Sequence, residues 1–310
     1  MNLWIAVTDN DWFRFLRSQS HLDEVNFWQP GASGTFRRLQ SGEPFLFKLH
    51  SPENYIVGGG FFGHFSRLRA TLAWEAFGVK NGTRTFEEMR ARIGKYRREP
   101  LDSREDPSIG CVILTQSFFF FDEIDWASTP DDFSLNIVQG KTYDTLKEPG
   151  RSLWLRVQSV LRVAQPAEVG ESQQRMYGEP ILVMARLGQG SFRVVITDTY
   201  ERHCAVTGEK ALPTLEAAHI RPVASGGLHR IDNGLLLRSD VHRLFDRGYV
   251  TVTPDYRVRV SHRLRDDFDN GEPYYPLDPA GDLAAQGFAG ASASRVPGVA
   301  LRHAVSRLRA

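Results

Sequence analysis

Cysteine is scarce in this chain of 310 residues, which has two, Cys111 and Cys204, far apart in the sequence. A framework of disulfide bonds is therefore not expected, and a reducing cytoplasm fits the composition. The chain has no C-x-x-C pair, which excludes a zinc site built on paired thiolates. It has no run of about 18 apolar residues, so no membrane-spanning helix is expected. The N-terminus lacks a basic segment followed by an apolar stretch, so no signal peptide is expected.

An excess of charge of one sign is also lacking, because 38 Lys and Arg face 37 Asp and Glu, a formal net charge of +1. This balance hides an asymmetry: residues 180–265 carry 13 Lys and Arg but 8 Asp and Glu. Nearly all of these cations are arginine, whose planar guanidinium suits bidentate contact with phosphate. A solvated arginine-rich surface explains the same excess equally well.

Apolar periodicity divides the first half of the chain into strands and helices. The pattern predicts strands over residues 42–50 and 54–62 and a helix over residues 66–78. Three consecutive glycines, Gly58–Gly60, interrupt the second strand. They indicate a bulge or the close approach of another group to the backbone.

The chain is long enough for about two domains, and its composition changes once along the sequence. Residues 164–180 are polar and rich in Pro, Gly, Gln and Ser, which indicates a linker. We therefore predict a first domain over residues 1–163, a second over 181–279, and a tail over 280–310 that contains a short helix.

The densest group of proton-transferring and metal-binding side chains lies between Leu215 and Gly248. The pattern predicts a short strand over "TLEAAHI", a loop over "RPVASGGLHRIDN", and then a short strand or turn followed by a helix over "GLLLRSDVHRLFDRG". Within this segment His219, Asn233 and His242 are separated by 14 and 9 residues.

These two spacings resemble the HNH, or ββα-metal, endonuclease motif. The flanking "AAHIRP", "NGLLL" and "DVHRLFDRG" are typical of restriction-type members, and "RLGQGSFR" (186–193) and "CAVTG" (204–208) also look similar. The resemblance covers roughly residues 181–265. It implies a ββα-metal domain that hydrolyses phosphodiester bonds of DNA with a divalent cation, Mg²⁺ or Mn²⁺, with Ni²⁺ or Co²⁺ as alternatives.

The resemblance also implies a role for each motif residue. His219 would be the general base, since a histidine with an unperturbed pKa near ~6.5 is often neutral and able to accept a proton at neutral pH. Asn233 would bond the loop backbone and hold His219 in its working orientation. His242 would bind the cation, and Glu216 and Asp246 are candidates for further metal ligands, Asp246 because it follows His242 by four residues on the helix.

One residue departs from the family pattern. Many members carry Asp, Glu or His directly before the base histidine as a metal ligand, and this chain has Ala218 there. His229 and His203 are interpreted as ordinary loop histidines or as phosphate contacts. The arginines that could contact DNA phosphates, or equally belong to plain surface, are Arg186, Arg193, Arg221, Arg238 and Arg243.

The first domain has a second resemblance, over residues 24–60, to the PUA-like superfamily, nearest to EVE and ASCH domains. The residues that fit are Phe36, Leu39, Gly42, Phe45 to Phe47 and Ile56 to Gly58. This resemblance implies a small curved β-barrel flanked by helices, several relatives of which hold a modified base. A pocket for an extruded base needs flat side chains for stacking and polar groups for the base edge. The candidates for that pocket are Trp28, Phe27, Asn26, Phe61 and Phe62.

Together the two resemblances predict an α+β protein that is a modification-dependent, type IV-like restriction endonuclease. The first domain would bind double-stranded DNA carrying a modified base, such as 5-methylcytosine or 5-hydroxymethylcytosine, and the second would cut nearby. A double-strand cut needs two active sites, so a homodimer is expected. Two alternatives stay open: a catalytically weak or inactive reader of nucleic acid, RNA included, which Ala218 favours, and a nonspecific or nicking defence nuclease.

Overall fold

The computed structural model describes residues 1–20, 22–31, 34–97, 101–102, 104–163, 187–253 and 255–278. The chain divides into two compact units, Met1–Ser191 and Phe192–Ala310. The predicted linker over 164–180 and the predicted tail over 280–310 lie outside the described residues. Within the described ranges, none of the helices combines the length and the apolar character that crossing a membrane requires.

The first unit is built on one mixed β-sheet. Its seven strands are β1 (Asn2–Thr8), β2 (Glu24–Gln29), β3 (Pro44–Leu49), β4 (Tyr55–Arg69), β5 (Ser108–Phe119), β6 (Ala127–Ser128) and β7 (Gly140–Asp144). The strand order is β2-β5-β4-β3-β1-β7, and β6 pairs with β4. The pair β1–β3 is parallel, and the other pairs are antiparallel.

The sheet is open, which corrects the curved barrel expected from the sequence. Closing a sheet into a barrel requires hydrogen bonds between its first and last strands. Here β2 and β7 stand at opposite ends of the strand order and do not pair with each other in the described part of the chain. The observed architecture of this unit is therefore a mixed sheet with helices.

In the described part of this unit, four helices accompany the sheet: α1 (Asn10–Arg17), α2 (Ala70–Phe77), α3 (Phe86–Arg97) and α4 (Gly150–Val163). Asp9 is the N-cap of α1. Its Oδ1 accepts a 2.7 Å hydrogen bond from the backbone N–H of Trp12 and so satisfies one of the free donors of the first turn. Trp12, Phe13 and Leu16 are buried on the inner side of this helix. The cap and the apolar side of α1 thus act together to fix where it starts and how it packs.

Two apolar clusters lie on the two faces of the sheet. Side chains alternate along a strand, so Phe45 and Phe47 of β3 pack in one cluster, while Leu46 packs in the other with Ile5 and Ile56. All six residues of β3 are buried. A strand that is covered on both faces usually has a continuous run of apolar residues, and the sequence of β3, "PFLFKL", is nearly such a run.

The long strand β4 extends into the region predicted to be helical. Its pairing with β5 continues to Arg69, opposite Ser108, so α2 begins at Ala70 rather than at Ser66. The glycines of this strand do mark a close approach and an irregular register, which shifts between Gly59 and Phe61. A Cβ on Gly59 would lie 2.5 Å from the carbonyl oxygen of Phe45.

Replacing Gly59 with alanine is therefore expected to destabilise the first unit by about 1–3 kcal/mol, the usual cost of overpacking a core. The matched control is Gly34→Ala, because a Cβ there meets nothing within 4 Å and should change the free energy of unfolding by less than about 0.5 kcal/mol. Urea unfolding of the two variants and the wild type gives both values. Equal stability of the two variants would contradict the packing described for β4.

The second unit contains the ββα segment. Its elements are α5 (Gln189–Thr199, most of which lies in this unit), β8 (Leu215–His219), β9 (Gly234–Arg238), α6 (Ser239–Asp246), β10 (Val250–Val252), β11 (Val258–Val260) and α7 (Arg263–Phe268). Strands β8 and β9 form an antiparallel pair, and β10 and β11 form a second one. The predicted succession of strand, loop, short strand and helix is therefore found.

Helix α5 packs directly against the β8–β9 pair. Gly234 at the start of β9 permits this, because a Cβ there would lie 2.2 Å from Cδ1 of Ile196 and 3.0 Å from the ring of Phe192. The preceding segment is also tied to β9, since the Sγ atom of Cys204 accepts hydrogen bonds from the backbone N–H groups of Thr207 and Arg238. These contacts give the short ββα segment a buried support.

Candidate active site

His219 is the last residue of β8 and lies opposite Gly234 in the antiparallel register. Its imidazole stacks on Phe192, with ring centroids 4.1 Å apart and planes inclined by 8°. Phe192 is itself 1% exposed, so the surface that supports His219 is a fixed part of the core. The stacking restricts the imidazole to one plane and leaves its edge available for hydrogen bonds.

Asn233 closes the loop that connects His219 to β9. Its Oδ1 accepts a hydrogen bond from the backbone N–H of Arg221 at 2.8 Å. Its Nδ2 donates to the carbonyl oxygens of Arg221 at 3.0 Å and Leu228 at 2.9 Å. One side chain therefore joins both ends of the loop, and the backbone carbonyl of Asn233 adds a bond from the N–H of Ile220 at 2.9 Å.

His242 lies on α6 between two carboxylates. Its Nδ1 is 2.7 Å from Oε2 of Glu216 on β8, and its Nε2 is 3.4 Å from Oδ2 of Asp246, one turn further along the helix. Glu216 and Asp246 thus approach opposite nitrogens of one ring. Whichever nitrogen binds a cation, one carboxylate is near enough to share it, and the other can accept the remaining N–H and orient the ring.

This donor set fits a divalent cation that keeps several water ligands. One imidazole nitrogen with carboxylate oxygens suits Mn²⁺ and related ions, and Mg²⁺ is commonly held by one or two carboxylates. Among the described residues, no group of three or more His, Cys, Asp or Glu is arranged to hold a metal ion. Glu216 and Asp246 explain this, since they face different nitrogens of His242 and share no single point with it.

Several neighbours change the proton affinity of His219. Burial lowers its pKa below 6.5, and the nearby imidazoles of His229 and His242 lower it further, whereas the carboxylate of Asp246 opposes them. The 2.7 Å contact between Glu216 and His242 also shows that β8 lies close to α6. A base with a lowered pKa stays neutral in mildly acidic solution, so it can accept a proton over a wider pH range.

Two residues around His219 were not predicted from the sequence. Nδ1 of His229 is 3.0 Å from Nε2 of His219, so His229 is not an ordinary loop histidine. The signal available in the sequence was its position in the loop that ends at Asn233. Phe192 lies in the segment "RLGQGSFR" that the resemblance includes, but no local pattern predicts its contact with His219, because it lies on a separate helix, α5.

The other predicted residues of this unit are placed as follows. Ala218 is fully buried, so this position offers only a methyl group. Arg221 and Arg243 are exposed; Arg221 donates from Nε to the carbonyl oxygen of Ser225, and Arg243 forms no ion pair within the described part of the unit. Arg193 is half-buried, and Arg186 lies outside the described residues. The Arg238 guanidinium is paired with Asp240.

The five candidates for a base pocket in the first unit are not brought to one place. Asn26 and Trp28 lie on one face of β2 and both bond to Asn81, Asn26 through Nδ2 at 2.8 Å and Trp28 through Nε1 at 2.9 Å. Phe27 and Phe62 pack in the core cluster on the opposite face, and Phe61 packs against the other cluster.

Comparison with known proteins gives one finding for this chain. Residues 204–253 match the model of a family described as HNH endonuclease. The matched residues include β8, the following loop, β9 and α6, and with them His219, Asn233 and His242. HNH nucleases generally use a divalent metal and act on nucleic acid. No curated protein matches the chain.

Proposed function

From an HNH endonuclease domain at residues 204–253, we propose that the protein is a divalent-metal-dependent endonuclease that cuts DNA carrying a modified base. The observation that carries the nuclease assignment is the arrangement of His219, Asn233 and His242 in one ββα segment. His219 ends β8, Asn233 closes the following loop, and His242 lies on α6 beside two carboxylates. In this proposal the three residues would serve as a base, a brace and a metal ligand at one phosphodiester.

The protein residues would divide the reaction among them. The neutral ring of His219 accepts the proton of the attacking water, and its stacking on Phe192 keeps the ring in place while it does so. Asn233 holds the loop and so maintains the direction of that ring. When bound at His242 with Glu216 or Asp246, a divalent cation supplies positive charge that stabilises the transition state and the leaving 3′ oxygen.

The exposed arginines near the site supply further contacts to DNA. Arg243 lies on α6, one residue after His242, and its guanidinium is exposed. Arg221 lies in the loop that Asn233 closes. Both would bind phosphates next to the scissile bond, a contact that fixes the register of DNA but carries no sequence information. The modified base must therefore be recognised elsewhere.

We assign that recognition to the first unit. Trp28 is half-buried and stands beside Tyr96, with ring centroids 6.3 Å apart, and Tyr96 is 41% exposed. Asn26, on the same face of β2, is fully buried, and its Oδ1 has no hydrogen-bond partner in the described structure. Trp28 and Tyr96 thus offer a stacking surface, which favours Trp28 over the three phenylalanines, whereas the amide of Asn26 lies buried behind that surface. Two copies of the chain would supply the two cuts of a double strand.

The experiment compares cleavage of one DNA sequence prepared unmodified, with 5-methylcytosine and with 5-hydroxymethylcytosine. Wild type is expected to cut one modified form at least 10-fold faster, and Trp28→Ala should reduce that preference, since base stacking contributes about 1–3 kcal/mol. Equal cleavage of all three DNAs would reject modified-base targeting and favour a nonspecific nuclease. Binding without cleavage, with Mg²⁺ or Mn²⁺ present, would instead favour an inactive reader.

A further inference from the structure

His229 and His219 form a direct contact that the proposed chemistry does not yet use. Their facing nitrogens, Nδ1 of His229 and Nε2 of His219, are 3.0 Å apart, which is a hydrogen-bond distance. Phe192 packs against both rings. Its ring is nearly parallel to that of His219 and is inclined by 57° to that of His229, whose centroid lies 5.5 Å away. The aromatic ring thus fixes the plane of His219, and His229 fixes how the imidazole is turned within that plane.

A hydrogen bond between two neutral imidazoles determines which nitrogen carries each proton. If Nε2 of His219 donates to His229, then Nδ1 of His219 keeps its lone pair and can accept a proton from water. If Nε2 accepts instead, Nδ1 carries the proton and cannot act as the base. The His219 ring has no other hydrogen bond among the described residues, so Nδ1 is the nitrogen left for the reaction.

The loop backbone holds His229 in this place. Nδ2 of Asn233 donates to the carbonyl oxygen of Leu228, the residue directly before His229. The same amide binds Arg221, two residues after His219. Asn233 therefore braces both histidines, and its effect on the base passes partly through His229.

We propose that His229 is a positioning residue that accepts a hydrogen bond from Nε2–H of His219 and thereby holds the base in the tautomer with a free Nδ1. This inference rests on the proposed nuclease function for its consequence, but the contact itself can be tested without DNA. Among the described residues, three ionisable groups act on His219: His229 from the loop, and His242 and Asp246 from α6. Of these, His229 makes the hydrogen bond to its ring.

Three substitutions at one position separate positioning from simple packing. His229→Asn keeps a neutral acceptor where Nδ1 was, His229→Asp provides a charged acceptor, and His229→Leu provides none. We expect His229→Leu to lower the single-turnover cleavage rate about 10- to 100-fold, because the general base contributes about 10²–10⁴-fold and is misdirected in part of the molecules. His229→Asn should restore the rate to within about five-fold of wild type by keeping the acceptor. The matched control is His262→Leu, on an exposed histidine outside the site, which should leave the rate unchanged.

The pH profile gives a readout that packing alone would not move. The base works when neutral, so the acidic limb of the rate follows the pKa of His219. A carboxylate at position 229 stabilises the imidazolium and raises that pKa, so the limb of His229→Asp should move to higher pH than that of His229→Asn. Wild-type rate and pH profile in His229→Leu would overturn the proposal. A second combination of results would also overturn it. In that combination His229→Asn cleaves as slowly as His229→Leu, and the acidic limb of the pH–rate profile of His229→Asp lies at the same pH as that of His229→Asn.

The tautomer can be observed directly by ¹⁵N NMR of histidine-labelled full chain without metal or DNA, with the His219 signals assigned by their loss in His219→Gln. We expect a protonated Nε2 and an unprotonated Nδ1 on His219, and loss of this preference in His229→Leu. A protonated Nδ1 in the wild type would overturn the proposal whatever the nuclease assay shows. If the expected tautomer is found but no DNA is cut, the nuclease function fails and the positioning contact stands.

Discussion

His219→Ala is expected to lower the single-turnover rate of DNA cleavage by about 10²–10⁴-fold, the usual contribution of a general base. The affinity for DNA should change little, because the expected phosphate contacts are the arginines and not this imidazole. The side chain removed is the one that stacks on Phe192 and contacts His229. The substitution therefore removes the proposed acceptor for the proton of the attacking water at the end of β8.

The measurement is a quenched time course with enzyme in excess over labelled DNA, together with a binding isotherm on the same DNA in Ca²⁺. His262→Ala is the control, since His262 is exposed and lies outside the ββα segment. A melting temperature for each variant separates lost chemistry from lost folding. Cleavage by His219→Ala at the wild-type rate would refute the role assigned to this residue.

His242→Ala is expected to abolish the measurable binding of Mn²⁺ and, with it, cleavage at ordinary cation concentrations. His242 offers the imidazole nitrogens that stand next to both carboxylates, so its loss removes the centre of the donor set. Replacing a group that only orients a metal ligand typically lowers metal affinity by about 10–100-fold, and the loss of the ligand itself should lower it further. Titration of Mn²⁺ followed by EPR or calorimetry measures this without relying on activity.

The same titration identifies the carboxylate that shares the cation. Glu216 faces Nδ1 of His242 and Asp246 faces Nε2, so Glu216→Gln and Asp246→Asn should not have equal effects. Substitution of the carboxylate that binds the cation should weaken Mn²⁺ binding more than substitution of the carboxylate that only orients the ring of His242. If Mn²⁺ bound His242→Ala as tightly as wild type, the cation site would have to lie elsewhere.

The ββα segment was predictable because its signals are local. Apolar alternation and a helical period over a single short stretch mark β8, β9 and α6, and the spacing of His219, Asn233 and His242 follows from that succession. The contacts around His219 were not predictable in this way. His229 reaches it only because Asn233 folds the loop back, and Phe192 arrives from α5 through tertiary packing.

In the first unit, pairing between strands that are distant in sequence overrides the local apolar pattern. Residues 66–69 have a helical apolar period, yet they continue β4 because β5, distant in sequence, pairs with them. The strand order and its open ends depend on such long-range pairing as well, so the barrel implied by a resemblance over residues 24–60 did not follow from the local pattern. Gly58–Gly60, in contrast, carried a correct local signal, because a glycine is needed wherever strands and rings approach this closely.

Cleavage of supercoiled plasmid DNA by the full chain, with EDTA, Mg²⁺ or Mn²⁺, tests the central assignment most directly. The plasmid should be prepared in unmodified, 5-methylcytosine and 5-hydroxymethylcytosine forms, so that a missing modification is not mistaken for missing chemistry. Our account predicts nicked or linear product from at least one form with Mg²⁺ or Mn²⁺, and none with EDTA. Equal cleavage in EDTA, or intact plasmid of every form with both cations, would contradict it.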